Sequence, residues 1–323
     1  MDTITETPPK IIQDELNELN NSLDLSIPKK TSNNILIGTW NIRKLGNLTR
    51  KWLPTGKYSP KRDLRALRYI ADVIKRFDVC AIQEVTGNLR ALRDLMKYLG
   101  CDWSFLMTDI TAGNAGNNER LAYIYQTSRV QPSGLACELV ISPETLSDPA
   151  KINTQFVRTP YAVSFKAGNE TFILVTLHID YGDKASDREP ELIAIAKWMA
   201  NWAKKSNRYH HNLLVLGDFN IDRKDDPLWK AFTSTGLYVP SQLNAVKRSI
   251  FIKEGRSPSK EKFYDQIAWF KSGRKSKLKM TFVNAGGFDF LPFLYQEQTL
   301  SKMSKSHRLS DHYPLWSEFK KDE

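Results

Sequence analysis

The chain has little cysteine, little histidine and no long apolar run. Its 323 residues include 3 Cys and 5 His. Cys80, Cys101 and Cys137 are odd in number and unpatterned, which argues against a disulfide framework and a cysteine-built zinc site. They fit a reducing, intracellular compartment, so a cytoplasmic location is expected. No stretch approaches the ~18 apolar residues of a membrane-spanning helix, and a soluble chain is expected. The opening MDTITETPPK has no apolar h-region behind a basic start, so no secretory signal is expected. Periodic repeats and low-complexity tracts are also missing.

Apolar residues make up 41% of the chain, with 8 Trp and 15 Phe, enough for a sizeable core. Residues 1–34 stand apart. There Ile11, Ile12, Leu16, Leu19 and Leu23 recur at helical spacing, predicting a short amphipathic arm ahead of one domain at 35–323. A mobile tail or a helix laid on the domain is expected, with protein-partner docking as the alternative. Net charge is +11, and it is concentrated. Arg43–Arg68 carries nine Lys or Arg against one acid, and Lys247–Lys279 carries eleven against three. Such blocks suit a polyanion, nucleic acid before anionic lipid, unless they are merely solvated faces.

Leu213–Asp222 (LLVLGDFNID) is the most informative stretch. An apolar strand runs into Gly217, and alternation then points Asp218 and Asn220 to one side and Phe219 to the other. Other predicted strands also end in polar groups. Ile35–Ile42 delivers Asn41, Asp78–Gln83 delivers Glu84, Glu119–Gln126 opens on Glu119, and Thr171–Ile179 carries His178. Phe263–Phe270 carries Asp265, and Leu309–Phe319 places Asp311 and His312 ahead of a last strand. Helices are predicted over 63–77, 88–99, 187–205 and 227–235, and further strands near 103–109, 156–165 and 279–284. Strands outnumber helices and are joined both by hairpins and by helices, which predicts an α+β fold of packed mixed sheets.

A packed strand needs no charge at its buried end, so seven strands with this habit point to one site. Oxygen ligands without cysteine favour a hard cation, Mg2+, Mn2+ or Ca2+, over zinc. Two histidines beside several acids can supply a general base and a general acid.

The ordered set TWN (39–41), QE (83–84), LHID (177–180), GDFN (217–220), YDQI (264–267) and SDHYP (310–314) resembles the endonuclease/exonuclease/phosphatase superfamily over about residues 35–319. Within it, ER at 119–120 and R-x-P at 158–160 resemble the deoxyribonuclease I branch. The resemblance implies a four-layered α/β sandwich with its site where the ends of the two sheets meet. It implies that Asn41 and Glu84, joined by Asp311, hold a divalent metal, with Mg2+ first and Mn2+ or Ca2+ as alternatives. By the same resemblance His178 pairs with Glu119, His312 pairs with Asp265, and Asp218 and Asn220 position water and phosphate oxygens. Arg158 then contacts a phosphate.

The implied activity is metal-dependent hydrolysis of DNA phosphodiesters. A phosphatase or phospholipase of the same superfamily and an inactive nucleic-acid-binding protein are the alternatives. Two departures bear on the substrate: the branch's disulfide pattern is missing, and its groove-reading arginine, two residues after the glutamate, is here Thr86. DNA grip is therefore expected from loops 43–68 and 247–279. His210, His211 and His307 match no motif and are expected at the surface.

Overall fold

The first strand sets the layering. β1 (Asn34–Leu45) is buried along its first nine residues. Alternation sends Ile35, Ile37, Thr39 and Asn41 to one face and Leu36, Trp40 and Ile42 to the other. Ile35 and Ile37 join the core between two sheets, while Leu36, Trp40 and Ile42 pack under helices.

The computed structural model describes residues 4–111, 116–140, 155–204, 212–272 and 275–321. Its helices are α1 (Lys10–Ser26), α2 (Leu64–Ile74), α3 (Arg90–Leu99), α4 (Glu189–Lys204), α5 (Pro227–Thr233) and α6 (Lys302–Arg308). The strands after β1 are β2 (Val79–Thr86), β3 (Trp103–Met107), β4 (Glu119–Gln126), β5 (Gln131–Glu138), β6 (Tyr161–Ala167) and β7 (Glu170–His178). They continue with β8 (Leu213–Asp218), β9 (Leu237–Tyr238), β10 (Asp265–Ser272), β11 (Lys275–Ser276), β12 (Thr281–Gly287) and β13 (Leu315–Lys320).

One sheet has the order β12-β13-β1-β2-β4-β3 and the other β11-β10-β8-β7-β6-β5, with β9 paired to β10. Each holds one parallel pair, β1 with β2 and β7 with β8, beside antiparallel neighbours. Each parallel pair is joined through a helix, α2 or α4, as such a crossover requires. The result is the expected α/β sandwich of two mixed sheets between helices.

Local chemistry fixes the elements. Asp63 caps α2 by accepting from the Ala66 N–H at 2.9 Å, and Asp226 caps α5 with Pro227 in the first turn. The β6 strand begins at Tyr161, five residues later than the sequence pattern suggests, because Pro160 cannot donate to a ladder and Arg158 is turned inward. β5 carries no strand signal in the sequence because its exposed, alternating residues include Pro132 and Gly134. α6 lacks an apolar stripe, since only Ser306 of its seven residues is buried.

The arm is a helix packed on the domain. Ile12, Leu16, Leu19 and Leu23 are buried in the core that α2 shares, whereas Ile11 is exposed. Glu15 is buried against the Arg65 guanidinium, which also takes the more exposed Glu297, so an ion-pair triad with a buried Glu15–Arg65 pair ties α1 to α2. Among the described residues no helix is long and apolar enough to cross a membrane.

Candidate active site

Strand direction gathers the polar ends. β1, β2, β7 and β8 end where the antiparallel β4, β10 and β13 begin, as the registers Thr86↔Glu119, Asp218↔Asp265 and Thr39↔Leu315 show. Toward that end the filling between the sheets turns polar. Gln83 lies beside Asn41 in register and donates across the gap to Thr176 Oγ1 at 2.9 Å.

Asp218 stands at the centre. Its Oδ2 accepts from Asn41 Nδ2 at 3.0 Å and lies 3.5 Å from His178 Nε2 and 3.8 Å from His312 Nε2. Each imidazole is held from behind by its other nitrogen. His178 Nδ1 meets Glu119 Oε2 at 3.0 Å, and His312 Nδ1 meets Asp265 Oδ2 at 2.7 Å. A carboxylate on Nδ1 fixes ring orientation and tautomer and leaves Nε2 to face the site. Both histidines therefore present Nε2 toward one carboxylate.

Glu84 reaches this centre through an irregularity. The β1–β2 and β2–β4 registers shift beside it, and its φ is +64°, a left-handed conformation uncommon for a residue with a side chain. There Glu84 accepts from Asn41 Nδ2 at 2.9 Å and from the Lys44 N–H at 3.0 Å. Asn220 has φ +50°; its N–H donates to Asp218 Oδ1 at 3.0 Å and its amide to Ile179 O at 2.7 Å.

Arg158 is buried and shares Glu119 with His178, its Nε 3.0 Å from Oε2. Asp311 sits apart from the two acid–histidine clusters, Glu84/Glu119/His178 and Asp218/Asp265/His312. Its carboxylate pairs with Arg43 at 3.3 Å and is 28% exposed. His307 is exposed, and His210 and His211 lie outside the described residues.

Four residues to which the sequence reading gave no role hold the site in place. Ser310 Oγ donates to Asn41 O at 2.6 Å and accepts from the His312 N–H at 3.0 Å, joining the two sides. Trp40 Nε1 donates to His312 O. Tyr264 stacks on the His312 ring with centroids 5.3 Å apart. Arg248 is buried, donating from Nε to Asp265 O and from NH1 to Leu243 O and Val246 O. The SDHYP motif flagged Ser310; nothing in the sequence distinguishes Arg248 from its basic neighbours.

Arg248 belongs to a wider pattern in which part of each basic block is structural. Arg62 is buried with donors on the carbonyls of Arg43, Lys44, Arg308 and Leu309. Arg65 is buried in the α1 triad, and Lys262 pairs with Asp222 at 2.5 Å. What faces solvent is narrower, including a cavity of about 410 Å³ lined by Arg43, Lys44, Lys61 and His307.

The site's electrostatics follow from burial opposed by charge. Burial lowers His178 and His312, but Glu119 and Asp218 outweigh it at His178, and Asp265 and Asp218 outweigh it strongly at His312. Both imidazoles are therefore raised above the usual 6.5. Burial pushes Asp265 up to about 6, against the pull of His312. Asp218 is held below the usual range, because the two histidines and the Asn220 N–H overcome its burial. Glu119→Gln removes a charge and a charge-assisted bond that raise His178 and leaves the burial that lowers it. Whichever limb of the pH–rate profile His178 sets is thus expected to move to lower pH, which a profile of kcat/KM measures.

This fold and site define the class. The Endonuclease/Exonuclease/phosphatase family model matches residues 38–291, and the chain belongs to that family. It is 28% identical over 205 residues to a deoxyribonuclease of Thioalkalivibrio sp. (strain K90mix), covering 62% of this chain and 50% of that protein. It is 24% identical over 271 residues to the deoxyribonuclease-1-like 1 protein of Sus scrofa, covering 77% of this chain and 74% of the relative. The chain thus spans about half the length of the first relative and three quarters of the second. The solved mannosyl-6-phosphatase of Bacteroides thetaiotaomicron superposes with a TM-score of 0.56 at 16% identity, covering 88% of this chain and 99% of that one. That likeness concerns the fold.

Proposed function

We propose that this protein is a divalent-metal-dependent endonuclease that hydrolyses DNA phosphodiesters by attack of water. The observation that carries the reading is the arrangement of two carboxylate-backed histidines whose Nε2 atoms face the shared Asp218. Diester hydrolysis requires a proton taken from water and a proton given to the leaving alkoxide. Two imidazoles on either side of one anion suit that pair of tasks. Asp218, held ionised, orients the attacking water and stabilises whichever imidazole becomes charged. Asn220 spends one amide hydrogen on Ile179 O and keeps the other for a phosphoryl oxygen. Arg158 adds a buried positive charge beside His178.

The residues fit a hard cation. Asn41 Oδ1 is buried without a hydrogen-bond partner among the described residues, and the neighbouring donors are carboxylate oxygens. Asn41 and Glu84 would hold Mg2+, with Mn2+ or Ca2+ as substitutes, and Asp311 would be a third ligand on giving up its pairing with Arg43. The ion supplies charge stabilisation at the phosphoryl oxygens.

Exposed Lys44 and the cavity around it support DNA contact through the 43–68 block, and exposed Lys253 and Lys260 would add to it from the 247–279 block. All three cysteines are free, which suits a reducing, cytoplasmic setting. The α1 stripe is occupied by the chain's own core, so any protein partner would meet the outer face of residues 1–34.

Nicking of supercoiled plasmid by the purified protein with Mg2+ or Mn2+, compared with excess chelator, tests the reading. Nicking that chelator abolishes is expected. Nicking unaffected by chelator would remove the cation from the account.

A further inference from the structure

We infer that the solvent face of α3 is a second binding surface, a cationic track that holds the phosphates of a DNA strand next to the one being cut. This inference rests on the nuclease reading above and adds to it a helix face whose exposed cations, Arg90, Arg93 and Lys97, lie in neither basic block. Arg90, Arg93 and Lys97 are exposed, while Ala91, Leu92, Leu95 and Leu99 are buried. Spacings of three and seven place the three cations on one stripe of the helix.

The stripe works against the helix that carries it. Like charges at these spacings repel, and a cation in the first turn, as at Arg90, opposes the helix dipole. No acidic residue occupies that turn. The acid on this side, Asp94, is buried and already bound through both oxygens to Arg50 at 2.6 and 2.7 Å, with Lys97 at 3.2 Å. Arg90 and Arg93 have no ion-pair partner among the described residues. Four cations against one acid leave +3 on one face, and an external anion relieves that repulsion.

Shape and position specify the anion. A cleft of about 830 Å³ runs along the stripe, lined by Arg50, Asn88, Arg90, Arg93, Lys97 and Phe105. It begins at Gly87 and Asn88, directly after β2 leaves the active site at Glu84. The helix start is fixed there by the Ala91 N–H on Gly46 O at 2.8 Å. Between them Arg120 donates to Thr86 O at 3.2 Å, adding a guanidinium where the track meets the site. From Arg90 to Lys97 the helix advances roughly 10 Å, about three nucleotide steps of one strand. A single phosphate needs converging cations; a line of them that starts at the catalytic end suits a backbone.

The test uses the full chain carrying His312→Ala, so that a 20-base-pair duplex is bound without being cut. Arg90→Gln, Arg93→Gln and Lys97→Gln are added together, glutamine being a good helix former. The slope of log K against log salt is expected to lessen by about 2.7, near 0.9 for each phosphate deprived of its cation. Lys166→Gln with Lys320→Gln, far from the site, is expected to leave the slope unchanged. Should the triple variant fail to fold, Arg93→Gln alone is expected to lessen the slope by about 0.9. An unchanged slope, with a wild-type chain that cuts DNA, overturns the track and leaves the nuclease reading standing. A wild-type chain that neither binds nor cuts DNA removes that reading and the track with it. A triple variant that keeps its DNA affinity but loses binding to phosphatidylserine vesicles assigns the face to a membrane and overturns the proposal.

Discussion

Replacement of His178 or His312 by alanine is expected to lower the rate of DNA cleavage by about 10²–10⁴, the range for losing a positioned general acid or base. The double variant is expected to fall little further than the more damaged single one, because residues acting as a unit are not additive. Duplex binding is expected to survive in each case, since phosphate contacts on the surrounding face carry most of the affinity. Single-turnover rates on a labelled duplex, with binding measured separately, check both statements. Retention of more than a tenth of the wild-type rate by either variant would remove that histidine from the chemistry. The two are also expected to differ in pH response. The His312 imidazole is pulled up by Asp265 and Asp218 and the His178 imidazole by Glu119 and Asp218, so the profile left by each variant reports the other ring.

The second large effect lies in the backbone. Gly217 pairs with Leu177 across the parallel β7–β8 ladder and has φ +139°, which side-chain-bearing residues rarely adopt. A Cβ there would stand 2.2 Å from Leu177 O and 3.0 Å from Leu177 N. Neither atom can rotate away, since both belong to a central ladder. Gly217→Ala is therefore expected to cost on the order of 3 kcal/mol or more from strain and overpacking. The unfolding midpoint should drop by roughly 5 °C. Because Leu177 and Gly217 immediately precede His178 and Asp218, the surviving folded fraction should also lose activity. Calorimetry alongside specific activity per folded molecule measures the two separately. A midpoint unchanged within error would contradict the packing described for this ladder.

The strand ends were legible in the sequence because alternation is a property of the chain itself. Asn41 falls on the inward face with Ile35 and Ile37 by counting in twos, and Asp218 follows from a buried run ending at a glycine. What could not be read is whatever depends on two distant segments meeting. Glu84 by strict alternation would share a face with Cys80 and Ile82, and only the shift in register and its positive φ bring it beside Asn41. Ser310 sits in a recognisable motif, yet its bridge from Asn41 O to His312 N needs two strands in register. The basic blocks misled in part for the same reason. Local charge counting treats Arg62, Arg65 and Arg248 as solvent-facing, whereas burial against carbonyls and carboxylates makes them internal staples. The α3 stripe is hidden in the sequence because its cations are spread among apolar residues rather than run together, and they gather only on the helix surface.

The measurement that tests the central claim most directly compares kcat/KM of the wild-type protein for a DNA phosphodiester and for a sugar 6-phosphate monoester, under one set of metal conditions. The account predicts diester cleavage exceeding monoester hydrolysis by at least about tenfold, a difference of roughly 1.4 kcal/mol in transition-state stabilisation. Equal or faster release of phosphate from the monoester would contradict it, leaving the sandwich and its paired histidines in place but assigning them to a phosphatase.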